Sequence, residues 1–237
     1  MISIGGIKNT KRMCYNKNVH VIPVINAEDF ETVEAELVIA HQFLHPSGWI
    51  HIDVVDGHFA PNITWGNPEE LKKLKTIHHD FAEFKFEIHL MVFDTEFVCE
   101  SWLKAGAERI ISHHEVLHDP DLFLEKCEHY GAEAMVAISP ETPADRLKPH
   151  FEKFRYFQVL AVKPGLAGQK FKPEILEKIR FLRREAPNAI IEVDGGITPE
   201  TAKLCHDAGA HIFASASYIF RNKDPQKAYK ELVSAVQ

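Results

Sequence analysis

The sequence predicts a single (β/α)8 barrel. Eight short apolar runs follow one another, and each is succeeded by a segment with helix signals, an alternation that argues a parallel sheet. No linker or low-complexity tract interrupts them. The length agrees: at about 150 residues per domain the chain amounts to roughly 1.6 domains, and eight βα units in ~220 residues suit a closed barrel, for which ~250 is typical. An open doubly wound sheet is the other fold with this alternation, but no GxGxxG follows a strand.

The first strand is His20 to Ile25, with Asn26 as the expected cap of the following helix. That helix carries Phe30, Val33, Leu37, Ala40 and Leu44 at helical spacing and breaks at Pro46-Ser47-Gly48. WIHIDVVD is the second strand, and Asn67-Pro68 opens a helix to about Ile77, with Pro suited to the first helical position. KFEIHLMVF is the third, with Asp94 or Thr95 capping a helix to Lys104. RIISH is the fourth, before a helix from Asp119-Pro120 to about Tyr130. Ala134 to Ile138 is the fifth, followed by a short helix after Pro143. FRYFQVLAV is the sixth, then the loop PGLAGQKF and a helix from Pro173 to Glu185. AIIEVD and HIFASAS are the seventh and eighth, with helices opening at Thr198-Pro199 and Asp224-Pro225. Residues 1–19 read as a polar leader and 20–237 as the barrel domain.

Composition narrows the function classes. Of 237 residues 45% are hydrophobic and 26% charged, which is ordinary for a globular protein. The net charge of −7 argues against a nucleic-acid surface. No run approaches the ~18 apolar residues of a membrane span. The leader has no apolar core and is not a secretory signal. Cys14, Cys99, Cys127 and Cys205 form no CxxC pair, read as reduced thiols, and point to a cytoplasmic protein.

Barrel enzymes build their sites at the C-terminal ends of the strands. His51 and Asp53 lie two apart on the second strand and share a face. His89 sits similarly on the third strand, and Asp194 ends the seventh. A lone inward histidine is more often a hydrogen-bonded core residue, and a strand-end Asp is often a cap; Asp56, in the turn DGHFAPN, fits that plainer role. Together, however, two imidazoles and two carboxylates aimed into one mouth are costly to bury without a compensating ion, and they suit Zn2+ or another divalent transition metal. A second feature follows strands six to eight: Gly165-Leu166-Ala167-Gly168, then Gly195-Gly196, then Ala216-Ser217. Small residues let backbone N–H groups approach an anion, and barrels often bind phosphate after strands seven and eight. Glycines also simply make tight turns, so the weight lies in three neighbouring loops.

The stretches HIDVVDGHFAPNITWG, EIHLMV, PGLAGQKF, IEVDGGI and GAHIFASASYIF, in this order from about Val21 to Phe220, closely resemble the motifs of the ribulose-phosphate 3-epimerase family. The resemblance implies one divalent metal held by His51, Asp53, His89 and Asp194, with Zn2+ first and Fe2+, Mn2+ or Co2+ suiting the same ligands. It implies that Asp53 and Asp194 are the two acid/bases and that His89 and Met91 line the substrate site. It further implies that phosphate is held by residues 165–168, Gly195, Gly196 and the Ala216-Ser217 turn. The activity implied is epimerisation at C3 of a ketose phosphate, D-ribulose 5-phosphate to D-xylulose 5-phosphate in the pentose phosphate pathway, by a homo-oligomeric enzyme with a small sugar phosphate as its partner. The chemistry requires a proton removed from one face and returned to the other, hence two acids on opposite walls.

Departures from the family pattern bear on the substrate. Val24 stands where the family usually has Ser, Ala167 replaces a glycine, and Ala216 replaces another. Another pentulose or hexulose phosphate, such as D-allulose 6-phosphate, is therefore an alternative. A second is a Schiff-base aldolase using Lys163 at the end of the sixth strand. A third is a binding protein without catalysis, against which the intact acid/base pair argues. His113 or His114, ending the fourth strand, are expected near the mouth.

Overall fold

The computed structural model describes residues 19–77 and 79–237. Apart from Val19, the expected leader lies outside the described residues. Eight parallel strands close into a barrel in sequence order, β1 (His20–Ile25), β2 (Trp49–Val55), β3 (Lys85–Met91), β4 (Arg109–His113), β5 (Glu133–Ile138), β6 (Tyr156–Leu160), β7 (Ile190–Asp194) and β8 (Ile212–Ser215), with β8 paired back to β1.

Helices α1 (Phe30–His41), α2 (Pro68–Ile77), α4 (Thr95–Lys104), α5 (Pro120–His129), α6 (Ile175–Glu185), α7 (Pro199–Ala208) and α9 (Pro225–Ala235) surround it, with single turns α3 (His79–Ala82) and α8 (Ser217–Phe220). A 3-10 helix at Ala144–His150 takes the place of a helix after β5. Proline opens α2, α5, α7 and α9, where its missing N–H has no partner to lose. Thr198 and Thr201 complete a reciprocal cap on α7.

Two sequence expectations shift. The cap of α1 is Asp29, whose side chain accepts from Thr32 N, and not Asn26. The eighth strand ends at Ser215, and Ser217 opens α8.

The two faces of each strand have different fates. Ile50, Ile52 and Val54 on β2, and Phe86, Ile88 and Leu90 on β3, pack outward in the main hydrophobic core against the helices. Their alternates face the barrel interior, and these are His51 and Asp53 on β2 and Glu87 and His89 on β3. Strand register pairs His51 with Glu87 and Asp53 with His89, which stacks the ionisable groups in two layers.

Candidate active site

The site lies at the upper layer, with His51 reaching it from the layer below. His51, Asp53, His89 and Asp194 each offer one donor atom, and these atoms lie within 4.8 Å of one another, all buried. Asp53 Oδ1 is 3.1 Å from His51 Nε2 and 3.0 Å from His89 Nδ1. Asp194 Oδ2 is 3.7 Å from His89 Nδ1. Four converging N and O donors, enclosed in the barrel mouth, fit a divalent transition metal.

Each imidazole is oriented from behind. His51 Nδ1 is 2.7 Å from Glu87 Oε1, a carboxylate that only accepts, so Nδ1 carries hydrogen and Nε2 faces the cluster. His89 Nε2 is 2.9 Å from His113 Nε2, whose Nδ1 is 3.2 Å from Glu115 Oε2. With Glu115 as the acceptor, His113 Nδ1 donates to it and Nε2 accepts from His89, so His89 Nδ1 is left as the free lone pair. Such outer carboxylates are how metal-binding histidines keep one tautomer. Glu115 is held in turn by Ser139 N and Thr142 Oγ1. His114 points away and meets His150 at 3.0 Å.

The two aspartates differ in proton affinity. Burial and the charge of Asp53 push Asp194 up to about 7. Burial alone would raise Asp53 too, but the imidazoles of His51 and His89 packed against it outweigh burial and hold it well below the usual carboxylate range.

The lower layer is a charged floor that sequence reasoning missed. Arg109 enters from the start of β4 and pairs with Glu87 through Nη1. It also meets Glu133 Oε2 at 2.8 Å from Nε and 2.5 Å from Nη2. Its guanidinium lies between the rings of Trp49 and Tyr156, 4.1 and 4.8 Å from their centroids. Beside it Gln158 Nε2 donates to Glu192 Oε1 at 3.0 Å. Burial, with the nearby charge of Glu87, pushes Glu192 up to about 8.

The expected phosphate loops line one cleft with Asp53 and Asp194. They are Gly165, Leu166, Ala167 and Gly168 after β6, Gly195 and Gly196 after β7, and Ala216 and Ser217 after β8. Val24 and Met91 form part of its wall. Gly196 requires glycine twice over: its φ is +65°, and a Cβ there would sit 2.6 Å from Phe171 N of the neighbouring loop. Gly196→Ala is expected to force these two loops apart, raising KM by more than it lowers kcat. Unchanged steady-state kinetics would show that the loop packing does not hold substrate.

Asp56 is a turn residue, accepting from His58 N and Phe59 N at 2.8 Å each and from Phe93 N at 3.1 Å. Lys163 lines the cleft, but its side chain is exposed, so nothing desolvates it as a Schiff-base nucleophile requires. Asn26 is drawn into the site: its Nδ2 is 2.7 Å from Asp53 Oδ2 and 2.9 Å from Gly165 O.

No helix among the described residues is long and apolar enough to cross a membrane. Cys99, Cys127 and Cys205 are free and buried.

Known proteins with these features agree with one another. The family model described as "Ribulose-phosphate 3 epimerase family" matches residues 20–220. A ribulose-phosphate 3-epimerase of Schizosaccharomyces pombe is 32% identical over 216 residues, covering 91% of this chain and 93% of its own. One from Bacillus subtilis is 31% identical, covering 90% and 98%. One from Chlamydia pneumoniae is 40% identical over 181 residues, covering 73% and 76%. Among solved structures, KGPDC from Streptococcus mutans superposes with a TM-score of 0.70 at 13% identity, covering 92% of this chain and 97% of its own, a likeness of fold alone. A closed eight-stranded barrel with this sequence match over nearly its whole length leaves one assignment: the chain belongs to the ribulose-phosphate 3-epimerase family.

Proposed function

We propose that this protein interconverts D-ribulose 5-phosphate and D-xylulose 5-phosphate in the cytoplasm, as a homo-oligomer, with Zn2+ bound by His51, Asp53, His89 and Asp194. The observation that carries the reading is the pair of carboxyls, Asp53 and Asp194, brought by β2 and β7 into one cleft with the expected phosphate loops.

The backbone amides of the three loops after β6, β7 and β8 grip the phosphate. That fixes the sugar with C3 between the two aspartates. One aspartate takes the C3 proton as the C3–H bond breaks. The electron pair moves into an enediolate across C2 and C3, and the other aspartate delivers a proton to C3 from the opposite face. In the reverse direction the two exchange roles. A cation bound at the cluster supplies Lewis-acid stabilisation of the negative charge developing on the substrate oxygens. Val24 and Met91 keep that part of the wall apolar and limit competing protonation by water.

Chelation is expected to abolish turnover, and one divalent ion, Zn2+ first, to restore it. Full activity in the presence of a strong chelator would overturn the metal assignment. The same protein assayed on D-allulose 6-phosphate tests the substrate, because Val24 offers no hydroxyl to a sugar. A higher kcat/KM on the hexulose phosphate would replace the pentulose reading.

A further inference from the structure

Asn26 lies one residue past β1, outside the cluster of metal-suited donors. It is joined by side-chain hydrogen bonds to both halves of the site. One amide nitrogen reaches Asp53 Oδ2 at 2.7 Å and the carbonyl of Gly165 at 2.9 Å. Both partners are acceptors, so the group facing them must be the amide nitrogen, and its two hydrogens are matched to two oxygens.

The division at Asp53 is sharp. Its Oδ1 faces His51 and His89, while its Oδ2 faces Asn26. The loop after β6 is held at the same point from a second side, where Asn62 Nδ2 donates to Gly165 O at 3.3 Å. Asn62 Oδ1 is buried there without a hydrogen-bond partner.

We propose that Asn26 is a positioning residue that ties the orientation of Asp53 Oδ2 to the seating of the loop 163–169. When the loop is seated, Gly165 O fixes the Asn26 amide, and the amide fixes the carboxylate oxygen that exchanges the C3 proton. When the loop lifts, that oxygen loses its anchor. The base is thereby oriented only while the phosphate loop is in place. The two hydrogens of the Asn26 amide are both taken, by Asp53 and by Gly165, so the device acts on one of the two proton transfers and leaves that of Asp194 alone. This rests on the proposed acid/base roles of Asp53 and Asp194.

The test uses Asn26→Asp, which keeps the shape but turns two donors into acceptors, and Asn26→Leu, which removes them. Exchange of the C3 hydrogen with D2O is followed separately from each epimer on the metal-loaded enzyme, and amide exchange of residues 163–169 is followed without substrate. In both variants, exchange from one epimer is expected to slow by about 10- to 100-fold, the scale of a misplaced reacting group, with exchange from the other little changed. The loop amides are expected to exchange faster. Equal slowing from both epimers, or loop amides unchanged in both variants, would overturn the proposal. If the wild-type protein exchanges no C3 hydrogen of a ketose phosphate, it is the acid/base reading that fails. The loop amides, which need no substrate, then decide on the clasp.

Discussion

Asp194→Asn is expected to lower kcat by about 10²- to 10⁴-fold on metal-loaded enzyme, the range by which a positioned acid–base group accelerates proton transfer. The substitution keeps the shape of a residue only 7% exposed and removes its ability to carry a proton. Asp53→Asn is expected to lose activity on the same scale, and metal content measured on each variant separates loss of the ion from loss of the proton carrier. Intact turnover by loaded Asp194→Asn would remove Asp194 from the chemistry.

Arg109→Met is expected to cost about 3–5 kcal/mol of folding stability, because it strands a buried charge. Glu87 is fully buried, and Arg109 is the cation paired with it. Against a total of about 5–15 kcal/mol, such a loss brings the fold near its limit. Urea unfolding reads it directly. The double variant Arg109→Met, Glu87→Gln removes the fully buried stranded charge, leaving only the partly exposed Glu133, and is expected to recover part of the loss. A single variant as stable as wild type would mean that the floor network contributes shape and not charge balance.

Much of this was legible before the structure. All eight strands and their order follow from apolar runs and from the Asp-Pro, Asn-Pro and Thr-Pro openings, because those signals are local. The inward pairing of His51 with Asp53 follows from two-residue alternation. The same alternation, applied to Glu87 beneath His89 and to Glu192 beneath Asp194, would have exposed the floor, since each lies two residues before a site residue on its own strand. Arg109 was harder. It opens its strand, where a charge ordinarily reaches solvent, and only the register against Glu87 and Glu133 turns it inward. The link from His89 to His113 depends on packing across strands, which one sequence does not encode visibly. Asn26 reads as a cap in the sequence because Asn and Asp29, three residues on, offer the same capping chemistry, and local signals do not rank the two.

The central claim is that Asp53 and Asp194 divide the proton transfer between two faces of C3. It is tested most directly by C3 hydrogen exchange in D2O with metal-loaded Asp53→Asn and Asp194→Asn, each offered the two epimers separately. The account predicts complementary half-reactions: each variant exchanges the C3 hydrogen of one epimer, not of the other, and forms little of the opposite epimer. Exchange of both epimers by either variant, or loss of exchange from the same epimer in both, would contradict it.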